Sequence, residues 1–242
     1  MSIVQSARTV FESVSGLHVY RGLPHGTNVA SDIKRVFPEY VVANVVDVGA
    51  NVGQSARKFR KYFPQAKISC VEPVSTTFKE LESATRALGN VECFNVALGD
   101  VNGTQSMVLT GPSLTFHVVR DGEVPEPGAT ETVQIQRLDD FCSTQKLSSI
   151  GYLKIDAEGF DLRVLAGGEG LIQAGAIDFI QVEAGMNSGL GGHVSFNDLF
   201  SWLTSRGYAL FGIYDQSQTW PHGQIMRRAD IVFVSQRRVT KR

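Results

Sequence analysis

The strongest chemical signal in the sequence is a run of seven residues, Asp-Val-Gly-Ala-Asn-Val-Gly, that begins at Asp47. The run follows a β-branched segment and precedes a stretch with helical periodicity, so it predicts a turn between a buried strand and a helix. Such a turn presents backbone N–H groups and a helix N-terminus at the carboxyl edge of a sheet. Asp47 itself is placed to accept a hydrogen bond from a ligand amine. We expect a ligand at this turn, contacted by Asp47, Gly49, Ala50, Asn51 and Gly53.

A second binding signal is Glu72, which stands 19 residues beyond the last glycine of this turn. It ends the next predicted strand, where a carboxylate can accept hydrogen bonds from the hydroxyls of a ribose. Capping of the helix that follows is the alternative role for this side chain. Pro73 is a further expected contact of this ligand, and its base is expected near Asn95, Val96 and Ala97.

The glycine spacing separates the ribose ligands that such a site could hold. A phosphate-binding loop needs GxxxxGK[ST], which the sequence lacks, and a pyridine dinucleotide site needs GxGxxG. Here an acid stands two positions before the first glycine, where it would repel a pyrophosphate but suit the ammonium group of a methionine moiety. S-adenosylmethionine therefore fits the pattern better than NAD, and an NAD-dependent oxidoreductase is the alternative.

Asp156 and Glu158, which follow a later strand, have the spacing for proton transfer. Residues two apart share one face if the strand geometry continues. The two carboxylates could act as a general base on a hydroxyl, or they could hold a magnesium ion, which is the less favoured choice. Glu183, at the end of the next strand, and His193, in the glycine-rich loop after it, are further candidates for catalysis. Cofactor contact for Asp156 and helix capping for Glu158 are the alternatives, and no protein-bound metal is predicted.

Alternating strands and helices from residue 44 onward must position these groups. The runs typical of buried strands are 44–48, 67–71, 91–96, 150–155 and 177–182. This α/β pattern predicts a mostly parallel sheet with helices on both faces. A segment with period two at about 104–136 predicts a small β insertion. The last two strands, 208–214 and 229–234, predict an antiparallel hairpin that closes the sheet.

Composition limits the class of protein and its partners. Residues 1–43 are expected to form an N-terminal helical segment that packs on the core, and residues 44–242 the ligand-binding domain. A formal net charge of −1 and the lack of an aromatic RNA-binding motif argue against a nucleic-acid partner. Three cysteines without a CxxC pair, and no run of 18 apolar residues, lead us to expect a cytoplasmic monomer or homodimer without a membrane span.

Several motifs together resemble the FkbM family of S-adenosylmethionine-dependent methyltransferases. They are DVGANVG at 47–53, NVALGD at 95–100, RLDD at 137–140, LKIDAEGF at 153–160 and ADIVFV at 229–234. The resemblance covers about residues 44–235 and implies a Rossmann-like class I methyltransferase fold with a seven-stranded sheet. It also implies methylation of a hydroxyl oxygen on a sugar or other small metabolite. A binding protein that keeps the nucleoside pocket but transfers nothing is the alternative from another functional class.

Overall fold

The computed structural model of the chain describes residues 3–20, 22–111, 113, 116–119, 122, 124–187, 192–218 and 225–240. The first elements are α1 (Ile3–Ser15), α2 (Val29–Val36), β1 (Asn44–Val48), α3 (Gln54–Tyr62), β2 (Lys67–Val71), α4 (Ser75–Thr85), β3 (Val91–Phe94), β4 (Ala97–Gly99), β5 (Gly103–Val108), β6 (His117–Val118) and β7 (Thr130–Arg137). They are followed by α5 (Leu138–Thr144), β8 (Ile150–Ile155), α6 (Asp161–Gly167), α7 (Glu169–Gln173), β9 (Ile177–Gly185), α8 (Phe196–Thr204), β10 (Tyr208–Gln218), β11 (Met226–Ser235) and α9 (Gln236–Thr240). The predicted strands of the sheet all occur, with ends that differ by a few residues.

Seven strands form the central sheet, in the order β10-β11-β9-β8-β1-β2-β3. The strands β9, β8, β1, β2 and β3 are parallel, whereas β11 is antiparallel to both of its neighbours, β9 and β10. The prediction of a mostly parallel seven-stranded sheet with an antiparallel last strand is therefore confirmed. Because the parallel strands run in one direction, their carboxyl ends meet at one edge of the sheet.

Apolar side chains cover both faces of this sheet. On one face Leu153 and Ile155 of β8 belong to the core that packs under α5, α6, α7 and α8. On the other face Tyr152 packs against Phe59 of α3, with ring centroids 5.5 Å apart. Because successive residues of a strand point to opposite faces, Lys154 follows Tyr152 onto the α3 face. The strand thus carries a charged side chain toward the carboxyl edge on that face.

A second sheet, with the strand order β4-β7-β5-β6, contains the predicted β insertion. It begins earlier than expected, because the segment Ala97–Gly99 leaves the third strand and pairs with β7. Val74, from the loop after β2, is buried in the small core of this sheet together with Val133 and Ile135. The β insertion therefore packs against the loop that contains Glu72 and Val74.

The two N-terminal helices differ in their packing. Val29 and Ile33 of α2 are buried in the core on the α3 face, and Asn28 caps this helix by accepting a hydrogen bond from Ser31 N. In α1, by contrast, the apolar side chains of Val10 and Phe11 are exposed. Of these two helices, α2 therefore packs on the core through its apolar side chains. Within the described ranges, every helix is too short or too polar to cross a bilayer.

Candidate functional site

The turn after β1 has the backbone geometry that its sequence predicts. Gly49 has φ +73° and Asn51 has φ +47°, both in the left-handed region. The N–H groups of Gly49 and Ala50 each donate to the carbonyl oxygen of Val71, at 3.0 Å. A Cβ atom on Gly49 would overlap the carbonyl oxygen of Asp156. Glycine is thus required at this position, because the turn and the loop after β8 are in contact there.

Gly53 is the N-cap residue of α3 and lies against α4. Its φ is +84°, and a Cβ atom here would lie 3.0 Å from Thr85 Cγ2 and 3.2 Å from Leu81 Cδ1. The close packing expected at this glycine is confirmed. The helix that it contacts is α4, which follows Glu72. Gly53 therefore contributes to the site by allowing α3 and α4 to pack closely.

A narrow cavity of about 80 Å³, here called the β2 cavity, lies over the carboxyl ends of β1 and β2. Five residues expected around a nucleoside line it: Asn51, Glu72, Pro73, Val96 and Ala97. Met107, Phe116 and Val118 of the β insertion also contribute to its walls. The insertion therefore covers the region where the sequence predicts a base.

Glu72 holds the two turns beside this cavity together. It is only 6% exposed, and its Oε2 accepts a hydrogen bond from Asn51 N while its Oε1 accepts one from Val74 N, both at 3.1 Å. Burial raises the pKa of Glu72 to about 7, although these two hydrogen bonds oppose the rise. Each carboxylate oxygen has a second lone pair, so a ligand hydroxyl could bind without displacing either backbone group.

Asn95 occupies a different position from the other residues predicted to contact a base. Its side-chain Nδ2 donates to the carbonyl oxygens of Glu72, at 3.0 Å, and Pro73, at 2.8 Å. These hydrogen bonds fix the loop after β2. Asn95 therefore supports the wall of the β2 cavity from behind.

A larger cavity of about 330 Å³, here called the β8 cavity, adjoins the β2 cavity on the α3 face. Gly49, Asn51 and Asp156 line both cavities. Residues 27–29 and elements α3, β8, β9, β10 and β11 supply the remaining walls. Its polar side chains include Gln54, Ser55, Lys58, Lys154, Gln181, Tyr214, Asp215 and Asp230. A ligand that filled both cavities would pass the contact between Gly49 and Asp156.

Asp47 is fully buried beneath the β8 cavity and is not among the residues that line either cavity. Ser55 Oγ donates to its Oδ2 at 2.5 Å, and Lys154 Nζ lies 3.4 Å from its Oδ1. Burial raises the pKa of Asp47, while Lys154 and Ser55 lower it. The sequence led us to expect direct contact with a ligand amine. The observed contacts instead connect Asp47 to the cavity through Ser55 and Lys154.

A row of buried polar groups crosses the sheet from β8 to β11, and the sequence did not predict it. Tyr152 OH donates to Gln181 Oε1 at 2.5 Å, and Gln181 Nε2 donates to Asp230 Oδ2 at 2.6 Å. Burial raises the pKa of Asp230 to about 6, and the ammonium of Lys154 opposes this rise. Lys154 and Gln181 stand opposite each other in register, and each interrupts a short apolar run, at 152–155 in β8 and at 179–182 in β9. Such interruptions are the signal that could have identified them.

Asp156 and Glu158, the two carboxylates after β8, are brought near each other by a turn. They do not lie on one face of a strand, as the sequence led us to expect. The strand ends at Ile155 and Glu158 has φ +48°, so the expected shared strand face does not exist. Burial and the negative charge of Asp156 nonetheless raise the pKa of Glu158 to about 7. Asp161, not Glu158, accepts hydrogen bonds from the loop N–H groups of Ala157 and Gly159, both at 3.1 Å. Glu158 instead lines the β2 cavity.

Glu183 lies between two cationic or titratable groups. Its Oε2 is 3.1 Å from His193 Nδ1, and its Oε1 is 2.5 Å from Arg228 Nη1. Burial and the charge of Asp156 raise the pKa of Glu183 to about 7, and Arg228 opposes the rise. The structure thus brings Glu183 and His193 into contact and adds Arg228, which the sequence analysis missed. Among the described residues, no group of three or more His, Cys, Asp and Glu side chains could hold a metal ion.

Comparison with known proteins gives a family and a fold. Residues 47–210 match the family model described as the methyltransferase FkbM domain. The METTL16 MTase domain is a structural relative with a TM-score of 0.50 and 11% sequence identity, over 96% of this chain and 78% of that one. At this level of identity the likeness concerns the fold alone.

A curated relative is the 2-O-methyltransferase NoeI of Sinorhizobium fredii (strain NBRC 101917 / NGR234). It is 28% identical over 138 residues, which are 52% of this chain and 57% of the relative. The matched region therefore spans less than two thirds of the length of NoeI.

Proposed function

The chain belongs to the FkbM methyltransferase family, and from this membership we propose that it transfers a methyl group from S-adenosylmethionine to a hydroxyl oxygen of a small acceptor. The observation that best supports the proposal is the junction of the two cavities at Gly49 and Asp156. A long ligand lying along this edge would have its nucleoside beside Glu72 and its charged centre beside Asp156.

The residues present suit this cofactor by their chemistry. The β2 cavity combines apolar walls such as Val71 and Phe160 with the carboxylate of Glu72, which suits a base and a ribose. The β8 cavity adds several carboxylates, which suit a ligand with ammonium and sulfonium charges. When bound, S-adenosylmethionine supplies an electrophilic methyl group on a sulfonium ion.

The chain must then align the acceptor hydroxyl and accept its proton. We assign the alignment to Asp156, because it lines both cavities. Glu158, which lines the β2 cavity, is the first group proposed for proton transfer, and the pair of Glu183 and His193, which is not among the residues that line either cavity, is the second. The pKa of each of these two glutamates is raised to about 7, which is near the value at which a general base works best at neutral pH. Glu183, in contact with His193 Nδ1, would stabilise the ring as it gains a proton.

The acceptor is proposed to be a hydroxylated small molecule such as a sugar. The name of the relative NoeI, a 2-O-methyltransferase, supports transfer to oxygen. The walls of the β8 cavity offer hydroxyl, amide and carboxylate groups beside the rings of Phe59 and Tyr62. Such a mixture suits a molecule that has several hydroxyl groups and an apolar face.

Incubation with methyl-labelled S-adenosylmethionine and a panel of sugars and small-metabolite extracts tests this proposal. We expect a labelled small molecule together with S-adenosylhomocysteine. Calorimetry with S-adenosylhomocysteine and NAD separates the alternatives. Binding of NAD without a response to S-adenosylhomocysteine would indicate the oxidoreductase, and cofactor binding without label transfer to any acceptor would indicate the non-catalytic binding protein.

Carboxylate substitutions test the assigned roles. In Glu158→Gln we expect turnover to fall about 100-fold or more, the usual size of a general-base contribution. In Asp156→Asn we expect a fall of about 100-fold from lost alignment of the acceptor. Affinity for S-adenosylhomocysteine should change by about threefold or less in Glu158→Gln. Glu126→Gln, which alters an exposed carboxylate in the β insertion, is the matched control and should retain wild-type rates. Wild-type turnover in both site variants would refute these roles.

A further inference from the structure

Asp230 is an acid of the β8 cavity to which the proposed reaction assigns no role. It lies in β11, where it stands opposite Glu183 of β9 and Tyr214 of β10 in register. It lines the β8 cavity together with Gln181 and Tyr214. The strand order β11-β9-β8-β1 separates it from β1 by three steps of about 4.8 Å, or roughly 14 Å. Asp230 is therefore on the side of the β8 cavity that lies away from the β2 cavity.

A chain of hydrogen bonds fixes the direction in which Asp230 is held. Tyr152 OH donates to Gln181 Oε1, and Gln181 Nε2 donates to Asp230 Oδ2. Turning the amide of Gln181 around would place its oxygen against a carboxylate oxygen, and neither atom could donate. Burial raises the pKa of Tyr152 well above its ordinary value, so its hydroxyl remains a donor. Because Gln181 is only 7% exposed, the carboxylate is held from within the protein.

The second oxygen of Asp230, Oδ1, is open to the cavity. Within the described part of the chain no group donates a hydrogen bond to it, and the atom is not fully buried. Two other acids line this cavity, and each contacts a lysine. Asp156 Oδ2 lies 3.1 Å from Lys154 Nζ, and Asp215 Oδ2 lies 2.5 Å from Lys58 Nζ. Asp230 thus differs from both, because the contact that holds it is an amide.

Asp230 is an anion at neutral pH. Burial raises its pKa to about 6, and the charges of Lys154 and Lys58 oppose this rise. The negative charges of Asp215 and Asp156 add to it. Above pH 6 the carboxylate can only accept hydrogen bonds, and a hydroxyl group is a suitable donor. A hydrogen bond to an ionised group is also stronger than one between neutral groups.

We infer that Asp230 is a specificity-determining residue, whose Oδ1 accepts a hydrogen bond from one hydroxyl of the acceptor while another hydroxyl is methylated at the junction of the two cavities. Gln181 and Tyr152 are positioning residues that hold this carboxylate. The substrate class is thereby narrowed to acceptors with at least two hydroxyl groups. The inference rests on the proposed function in placing the acceptor in the β8 cavity. Binding of an acceptor can be measured without methyl transfer.

Ligand-observed NMR with a panel of monosaccharides, disaccharides and cyclitols, at saturating S-adenosylhomocysteine, tests the inference. We expect at least one of these polyols to bind the wild type, and to bind Asp230→Asn about tenfold or more weakly, as for loss of a charged hydrogen bond. This variant keeps a side-chain oxygen that can accept from Gln181 Nε2, so the fold should be retained. Equal affinities, or no binding of any polyol to the wild type, would overturn the inference.

Deoxy analogues of the polyol that binds identify the hydroxyl concerned. Removal of that hydroxyl should weaken binding to the wild type about tenfold or more, but it should hardly affect binding to Asp230→Asn, because both changes remove the same hydrogen bond. If each deoxy analogue loses the same factor in both proteins, the contact with Asp230 does not exist.

Calorimetry with S-adenosylhomocysteine distinguishes acceptor binding from contact with the methionine part of the cofactor. In Asp230→Asn the affinity should stay within about threefold of that of the wild type, because no charged contact with the cofactor is lost. A loss of about tenfold or more would assign Asp230 to the ammonium group of the cofactor and would overturn the inference.

Tyr152→Phe tests the positioning role. It removes the donor to Gln181 Oε1, so polyol binding should weaken about three- to fivefold while affinity for S-adenosylhomocysteine is retained. Tyr208→Phe is the matched control, because Tyr208 is also buried and its hydroxyl donates to Ile177 O, at 2.9 Å, on the other face of the sheet. It should retain polyol affinity. Equal losses in both variants would indicate a merely structural role for Tyr152.

Methyl transfer gives a separate readout. Where the label reaches an acceptor, its KM should rise in Asp230→Asn while kcat changes little, because the lost contact is made by bound acceptor and transition state alike. A fall in kcat at constant KM would contradict a role in binding. If the wild type transfers no methyl group, the proposed function fails, while polyol binding still decides the inference.

Discussion

The two cavities that meet at Gly49 are built in opposite ways. The β2 cavity takes its walls mainly from the loops that directly follow β1, β2, β3 and β8, and its charged residues are the acids Glu72, Asp156 and Glu158. The β8 cavity is assembled from residues between Thr27 and Asp230 and combines acids with Lys58 and Lys154. The β2 cavity is therefore formed mainly by local turns, whereas the β8 cavity depends on which strands are neighbours in the sheet.

Because the β2 cavity and the β8 cavity are built differently, they suit different kinds of ligand. Turns that follow parallel strands give a fixed arrangement of backbone groups, which suits a cofactor of constant structure. A cavity made from side chains of distant elements can change residue by residue without altering the fold, which suits the selection of one particular acceptor. Substitutions confined to the β2 cavity should therefore weaken cofactor binding while changing the KM for the acceptor little.

The largest expected effect comes from Gly49→Ala, which acts where the cavities join. The new Cβ would overlap the carbonyl oxygen of Asp156, and the residue would keep a left-handed φ. We expect the affinity for S-adenosylhomocysteine to fall by about 100-fold or more, and stability to fall by about 3 kcal/mol. Calorimetry and chemical denaturation measure the two effects. Gly128→Ala is the control, because Gly128 has φ +80° but no atom within 4 Å of its Cβ position. Equal losses in both variants would rule out the contact as the cause.

Glu72→Gln affects the β2 cavity alone. The amide can no longer accept from both backbone N–H groups that now bind the carboxylate, and it loses the charge that would bind ribose hydroxyls. We expect affinity for S-adenosylhomocysteine to fall about tenfold, the size of one charged hydrogen bond. The KM for the acceptor should change little. Glu92→Gln, at an exposed position, is the control, and an unchanged cofactor affinity in Glu72→Gln would count against a ribose contact.

The carboxyl cluster predicts how stability depends on pH. The pKa values of Glu72, Glu158 and Glu183 are raised to about 7, so the native state retains protons that the unfolded chain releases between about pH 4.5 and 7. Stability should therefore fall as pH rises through this window and level off above it. We expect Tm to be a few degrees higher at pH 5.5 than at pH 8, with about 2–4 °C for each kcal/mol. A flat or rising Tm would contradict these shifted values, and Glu158→Gln should reduce the slope.

The smallest effect is expected from Ser113→Ala, which tests how firmly the β insertion closes the β2 cavity. Ser113 Oγ donates to Asn51 Oδ1 at 3.1 Å and so connects the insertion to the turn after β1. Its loss should weaken S-adenosylhomocysteine binding about two- to fivefold, in keeping with one neutral hydrogen bond. Ser106→Ala, on the exposed side of β5, is the control. A larger loss than that of Glu72→Gln would give the insertion, and not the turn, the main part in closing the cavity.

The β2 cavity and the turn beside it were predictable because their determinants are local in the sequence. Left-handed backbone at Gly49 and Asn51 follows from residue type and from the position of the turn between strand and helix. The acid Glu72 follows from the same pattern one strand later. The depth of Asp47 was not predictable, because its burial depends on Lys154 from a strand more than 100 residues away.

The β8 cavity could be predicted only in part, because it depends on which strands are neighbours. Gln181 and Asp230 meet because β11 lies beside β9, an order that no local pattern specifies. The sequence also could not show which of three neighbouring acids, Asp156, Glu158 and Asp161, binds the loop and which lies beside the cavity. Backbone geometry distinguishes them, since Asp161 binds the loop N–H groups and leaves Glu158 beside the cavity.

The position of β11 delays the completion of the central sheet until late in synthesis of the chain. This strand lies between β9 and β10, although both precede it in the chain. While the ribosome is still adding residues 226–235, the facing edges of β9 and β10 have no partner and are open to pairing with other nascent chains. Arg228 and Asp230 also reach the site only with this strand. A growing chain can therefore complete the turn after β1 early, but it acquires Arg228 and Asp230 beside the β8 and β9 strands only after residue 235 has left the ribosome.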